Sequence, residues 1–186
     1  MTTSPRRPLR RRPIIWAGLA VLAVALVVGL AVFEPWKLFV NRTVDEGPPA
    51  ASDAPSAAAE ALPAAPASPV VLARGDLISH EHESSGSALV LALPDGSRVL
   101  RLQDLRTSDG PLLKVWLADA PVLPGMDGWY VFDDGQHVDL GDLKGNIGNA
   151  NYPIPPNVDL GPLRSVTIWC DRFHVSFAAA ALRPVG

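Results

Sequence analysis

The region from Val70 to Gly186 predicts an all-β fold, a compact antiparallel β-sandwich or barrel-like domain. Three observations predict it. No long helical periodicity runs through the region. Short runs rich in Val, Leu, Ile and aromatic residues alternate there with turn clusters, Pro94-Asp95-Gly96-Ser97, Gly110-Pro111 and Asp133-Asp134-Gly135. At 117 residues the region is long enough for one hydrophobic core.

Ahead of this domain, Ile14 to Phe33 runs twenty residues without a charge or a proline, long enough to cross a bilayer as a helix. Twelve of the twenty are Leu, Ile, Val or Phe, which favours insertion by roughly 4 to 7 kcal/mol. Arg6, Arg7, Arg10, Arg11 and Arg12 precede it with no acidic residue, so residues 1–13 read as a basic cytoplasmic tail and everything after Phe33 as exported, a single-pass cell-membrane topology. A cleavable signal peptide is the competing reading. Its apolar core usually spans only about 7 to 15 residues and ends in a small-residue cleavage site, whereas this run closes with AVFEPW, which favours an uncleaved anchor. The arginine pairs also suggest a twin-arginine export signal, but neither RRPLR nor RRPII matches one well.

Beyond Arg12 there are 11 basic and 19 acidic residues, a formal charge of −8, which argues against nucleic acid or anionic lipid as partner of the exported part. Residues 34–69 read as a juxtamembrane segment and linker. Within it, Gly47 to Pro69 holds ten alanines and six prolines in 23 residues, the composition of a disordered, extended tether. Its reach is at most about 70 Å at roughly 3.1 Å per residue. Asn41-Arg42-Thr43 has the form of a glycosylation sequon, a triplet that is common by chance.

The strands follow in order. Ser87 to Leu93 and Arg98 to Leu105 flank the Pro94 to Ser97 turn as a hairpin, and Leu112 to Ala118 follows Gly110-Pro111. Trp129 to Phe132 and Gln136 to Leu140 flank the Asp133 to Gly135 turn. The stretch from Gly141 to Leu163 carries so many Gly, Asn and Pro residues that it reads as an ordered loop, with a short extended piece near Tyr152. The C-terminal segment SVTIWCDRFHVSFAAAAL is a hairpin. If Asp171-Arg172 is its two-residue turn, Cys170 faces Phe173, Ile168 faces Val175 and Val166 faces Phe177 on the core side. Trp169 with His174, and Thr167 with Ser176, then fall on an outer, polar side; a longer turn would shift the pairing.

Cys170 is the single cysteine, so it makes no intrachain disulfide. Its alternation with Val166 and Ile168 fits a packed small hydrophobe, and burial would raise its pKa. Exposure at the hairpin tip beside Arg172 would lower it, and the sequence leaves both open. His80 and His82, two apart, would share one face of a strand as two metal or cofactor ligands could, although their alternation with Glu81 and Glu83 equally fits a polar strand edge. A blue-copper set is disfavoured: after Cys170 only His174 follows, on the other face, and Met126 in PGMDGWY has no ligand context. The absence of C-x-x-C-H and C-x-x-C excludes covalent c-type haem and thioredoxin-like exchange, and leaves a non-covalent haem open. Asp133, Asp134, Asp139 and Asp142 lack the spacing of a calcium loop, and no hydrolase, zinc-protease or P-loop motif is present in the exported part. No metal site is expected.

Four stretches together point to a family: HEHESSG (His80 to Gly86), TSDGP with LKVWL (Thr107 to Leu117), LGDLKGNIGNANYPIP (Leu140 to Pro155) and SVTIWCDRFHVSF (Ser165 to Phe177). From about Gly75 to Leu182 the chain resembles the DM-thirteen domain family, of the membrane-anchored bacterial type, described as an electron-transfer domain. The resemblance implies a β-rich domain whose near-invariant cysteine, carried here by Cys170, works as a bare thiol or as ligand to a group such as haem. It also places the family's histidine before Ser-Gly at His82. One departure is Leu112, where the family usually has an acidic residue after Gly-Pro. Two readings follow: a membrane-tethered extracytoplasmic redox module centred on Cys170 with His82 as helper, meeting an unknown redox or envelope protein; and a non-catalytic envelope module in which Cys170 packs the core and the Lys144 to Tyr152 loop meets a partner.

Overall fold

The computed structural model describes residues 13–49 and 68–185. The basic tail at residues 1–12 and most of the Ala/Pro stretch, residues 50–67, lie outside the described residues. The chain divides into two units, a helical one up to Pro35 and a β one from Trp36. In the first, helix α1 (Pro13–Phe33) starts on a proline, whose missing N–H costs nothing at a helix N-terminus. None of its side chains is buried and its mean hydropathy is 2.7. A helix apolar on all sides and uncovered by protein is long and apolar enough to cross a membrane, a description that a signal sequence also meets.

The β unit is all-β, as expected. Its strands are β1 (Thr43–Asp45), β2 (Val70–Ser79), β3 (Ser85–Ala92), β4 (Arg98–Arg106), β5 (Leu113–Ala118), β6 (His137–Asp142), β7 (Ile147–Ile154), β8 (Ser165–Cys170), β9 (Val175–Ala181) and β10 (Arg183–Pro184). They form one curled sheet in the order β1-β7-β4-β3-β2-β9-β8-β5-β6, with β10 on β2. Every pairing is antiparallel except that of β1 with β7. The corner of the curl is β2, whose first part pairs with β3 and whose last residues, Leu77 to Ser79, pair with β9. At Gly75, between those partners, a side chain would collide with the carbonyl oxygen of Ala181. The curl closes around one core that takes Leu100, Leu102 and Tyr152 from one wing and Val115, Leu117, Val166, Ile168 and Phe177 from the other.

Several expectations need correction. Of the Lys144 to Tyr152 stretch expected as a loop, Ile147 onward is a strand: the short extended piece expected near Tyr152 is the full β7, which pairs along its length with β4 and so satisfies a backbone that composition alone assigns to a loop. Trp129 to Phe132 is not a strand but an irregular segment that lays Phe132 across the back of the sheet. Ahead of Val70, Thr43–Asp45 also pairs into the sheet, along β7.

The terminal hairpin has a four-residue tip, Asp171 to His174, with His174 at φ +52° supplying the left-handed step that Asp-Arg disfavours. Cys170 therefore pairs with Val175 and Trp169 with Ser176, and a bulge beyond that pair brings Ile168 opposite Ala178. Nor is the outer side of β8 polar and open. Trp169 is fully buried there, in a second cluster with Trp116, Phe132, Ala118, Ala120 and Ala179, and its ring stacks on Trp116 at 5.1 Å. Both faces of β8 are thus covered.

Trp169→Ala should consequently cost about 3 to 5 kcal/mol, the range for emptying a buried tryptophan site. Urea unfolding would show it as a lower midpoint at unchanged slope; a change below about 1 kcal/mol would mean that the outer face is solvated after all.

Candidate functional site

Cys170 ends β8 directly beneath the hairpin tip. The tip residues Asp171 to His174 are all exposed, yet the cysteine below them is 0% exposed. Its cross-strand neighbours are Leu113 and Val175, both buried. The S–H donates to the carbonyl oxygen of Pro111 at 3.2 Å. Burial pushes the thiol pKa up; the nearby backbone N–H groups of Phe173 and Arg172 oppose this, and the charges of Glu81 and Asp171 add to the rise. The net direction is upward, so the closed domain holds a neutral thiol. Of the two environments open to it, the packed one is observed.

The two histidines do not share a face. The chain leaves β2 at Ser79 and bends, so strand alternation no longer applies. His80 turns to the outer cluster, 7% exposed, with its ring 5.9 Å from Phe132. Its Nε2 lies 3.0 Å from the carbonyl oxygen of Leu123, so Nε2–H donates there and Nδ1 accepts from the Ser176 hydroxyl at 2.8 Å. Ser176 in turn is 2.8 Å from Thr167 Oγ1, which completes a buried polar chain across β8 and β9. His82 turns the other way, with its ring 3.9 Å from that of Phe177. Burial lowers the pKa of both histidines, with Leu123 opposing at His80 and Glu81 at His82.

Among the described residues no hydrogen bond joins His82 to Cys170, and no three His, Cys, Asp or Glu side chains are grouped closely enough to hold a metal ion. Three of the four acidic residues in and before β6 are paired: Asp139 and Asp142 with Lys114, Asp133 with His174. A haem does not fit at the thiol as it stands. Its ligand atom is covered, hydrogen-bonded to Pro111 and packed among Leu113, Val175 and the main core, with no open face for a macrocycle.

The departure at Leu112 acquires a backbone explanation. Leu112 has φ +55° and an exposed side chain, and its carbonyl oxygen accepts from Asp171 N–H at 3.0 Å. Asp and Asn visit this left-handed region more readily than Leu, so an acidic residue here closes the turn that brings Pro111 over the sulfur. Sequence reasoning missed the Trp116 and Trp169 stack beside Cys170, capped by His137 on Trp116 at 4.1 Å. The signal available was an apolar residue at every position from Val166 to Cys170 except Thr167, the mark of a strand buried on both faces.

A family model described as electron transfer DM13 matches residues 76–182, more than half of the chain. The chain belongs to this family. No curated protein and no solved structure matches it.

Two outcomes are expected. Leu112→Asn should raise stability by about 0.5 to 1 kcal/mol through relief of the left-handed backbone, read as a higher urea midpoint. The unfolded chain takes protons at His80 and His82 near pH 6.5 while the folded one resists, so the melting temperature should fall as the pH drops below about 6.5 and level off once the folded histidines also titrate. His80→Gln should flatten that slope, and an unchanged slope would remove His80 as its source.

Proposed function

We propose that this chain displays an electron-transfer domain outside the cell membrane, held there by Pro13–Phe33, and that Cys170 is the side chain through which it acts. The family match supports the electron-transfer role, and the arginine cluster before an all-apolar helix supports the orientation. The observation that carries the reading for Cys170 is its position at the end of β8, directly under an exposed four-residue tip. Oxidation of a neutral thiol releases a proton together with the electron. The acceptor at hand, the Pro111 carbonyl oxygen, is too weak a base to keep that proton. The closed domain is therefore the resting form, and the tip has to open so that the proton reaches water and the sulfur meets a redox protein that accepts its electron. His82, packed ring to ring on Phe177 at 3.9 Å, is not a ligand in this reading.

Complete burial also favours a second reading, in which Cys170 is a core residue of a binding or structural module. The two part on how the thiol becomes accessible. On intact cells a membrane-impermeant maleimide should label Cys170 at least about a thousandfold more slowly than a free thiol, at a rate nearly independent of low urea, the signature of local opening. A rate that tracks global unfolding would leave only the structural thiol. Labelling confined to permeabilised cells would instead overturn the orientation. Cys170→Ser, which can keep the bond to Pro111, should abolish electron transfer with little change in melting temperature.

A further inference from the structure

We infer that the free edge of β7 is a strand-binding site occupied by the chain's own membrane-proximal segment, Asn41 to Gly47, so that this segment is a releasable clasp and sets the length of the tether. The segment lies outside the 76–182 span of the family domain, and it is the sole parallel strand among the described pairings. It is held as a bound peptide is held. Three asparagines of the GNIGNAN motif each grip it: Asn146 accepts from Arg42 N–H at 2.7 Å and donates to Asn41 Oδ1, Asn149 donates to Asp45 at 2.7 Å, and Asn151 N–H donates to Glu46 at 2.6 Å. The Arg42 guanidinium makes a two-pronged pair with Asp109 at 2.8 Å and 2.8 Å, and Asp109 is only 2% exposed. Lys144 binds the other oxygen of Glu46, and Arg101 caps the Glu46 and Gly47 carbonyls. Gly148, at φ +107°, leaves the space where any side chain would strike the Val44 carbonyl oxygen. This is main-chain strand addition with side-chain contacts at both ends of the segment, Asn41 and Arg42 before the strand and Asp45 and Glu46 at its close.

The clasp changes what the Ala/Pro stretch connects. Because Asn41 to Gly47 is already docked, residues 48–69 join β1 to β2 within the β unit and carry no load between helix and domain. The two strands are four sheet positions apart, about 19 Å at roughly 4.8 Å per step. With the clasp closed the tether from Phe33 is residues 34–40, a reach of at most about 25 Å; released, it is residues 34–69, at most about 125 Å at roughly 3.5 Å per residue. The inference is independent of the role of Cys170.

The test uses the full chain in detergent micelles, with a C-terminal tag and a specific protease site placed between residues 50 and 67. After cleavage at tens of micromolar protein in 0.15 M salt, the helix-bearing fragment should stay with the tagged domain at one copy of each. Arg42→Ala with Glu46→Ala should weaken that association about a hundredfold, while the domain keeps its cooperative melting. Gly148→Val should act likewise from the other side. Separation of the wild-type fragments would overturn the inference, as would retention unaffected by the Arg42 and Glu46 changes. A crossed assembly of two copies would show that the edge takes the segment of a neighbour and would overturn the assignment to its own chain. Sedimentation of the helix fragment with lipid vesicles is read separately and tests the anchor alone.

Discussion

Coverage of β8 and β9 on both faces is the constraint on which the rest of the β unit depends. This hairpin sits between β2 and β5 in the sheet. Its inner side chains, Val166, Ile168, Cys170, Val175 and Phe177, fill the space enclosed by the curl, and its outer ones, Trp169 and Ala179, are roofed by Trp116, Phe132 and Ala120. A strand pair held from two sides tolerates no slip, since a shift of one residue would carry Trp169 into the inner core and Cys170 into the outer one. The polar chain from Thr167 through Ser176 to His80 adds directional bonds at the same level. Apolar burial drives the collapse, and these bonds select the register.

The same burial governs the chemistry of the sulfur. A thiol without water and with a carbonyl partner stays protonated, and a protonated thiol is a poor nucleophile, ligand and electron donor. Packing therefore shields Cys170 from solvent, although the four residues of the tip above it are exposed. The turn that places Pro111 over the sulfur depends on a left-handed residue at position 112, so backbone conformation one element away decides what the S–H can touch.

At the other end of the sheet, β7 shows how polar residues can define a strand. Its Asn and Gly content opposes strand formation in isolation, and the structure offsets this by giving each asparagine of the motif a partner on Asn41 to Gly47 or beside it. β7 lies within the matched residues 76–182, and the strand that pairs with its edge, β1, lies outside them.

The apolar helix, the all-β class, the β3–β4 hairpin around Pro94 to Ser97, the strand after Gly110-Pro111, and the inward phase of Cys170 with Ile168 and Val166 can all be read from the residues alone. These are local: periodicity, turn chemistry and run length lie within a few residues of each other. The register of the last hairpin emerges from folding in three dimensions, because His174 rather than Asp171-Arg172 absorbs the positive φ, and so does its outer face, because the roof comes from β5 and the loop carrying Phe132. Folding likewise decides that Gly145 to Asn151 runs into a strand and that His80 and His82 part. Those outcomes rest on contacts between residues up to about a hundred positions apart, such as Arg42 with Asn146 and His80 with Ser176. Local propensity carries no information about such partners, and hydrogen bonds made to them outweigh it.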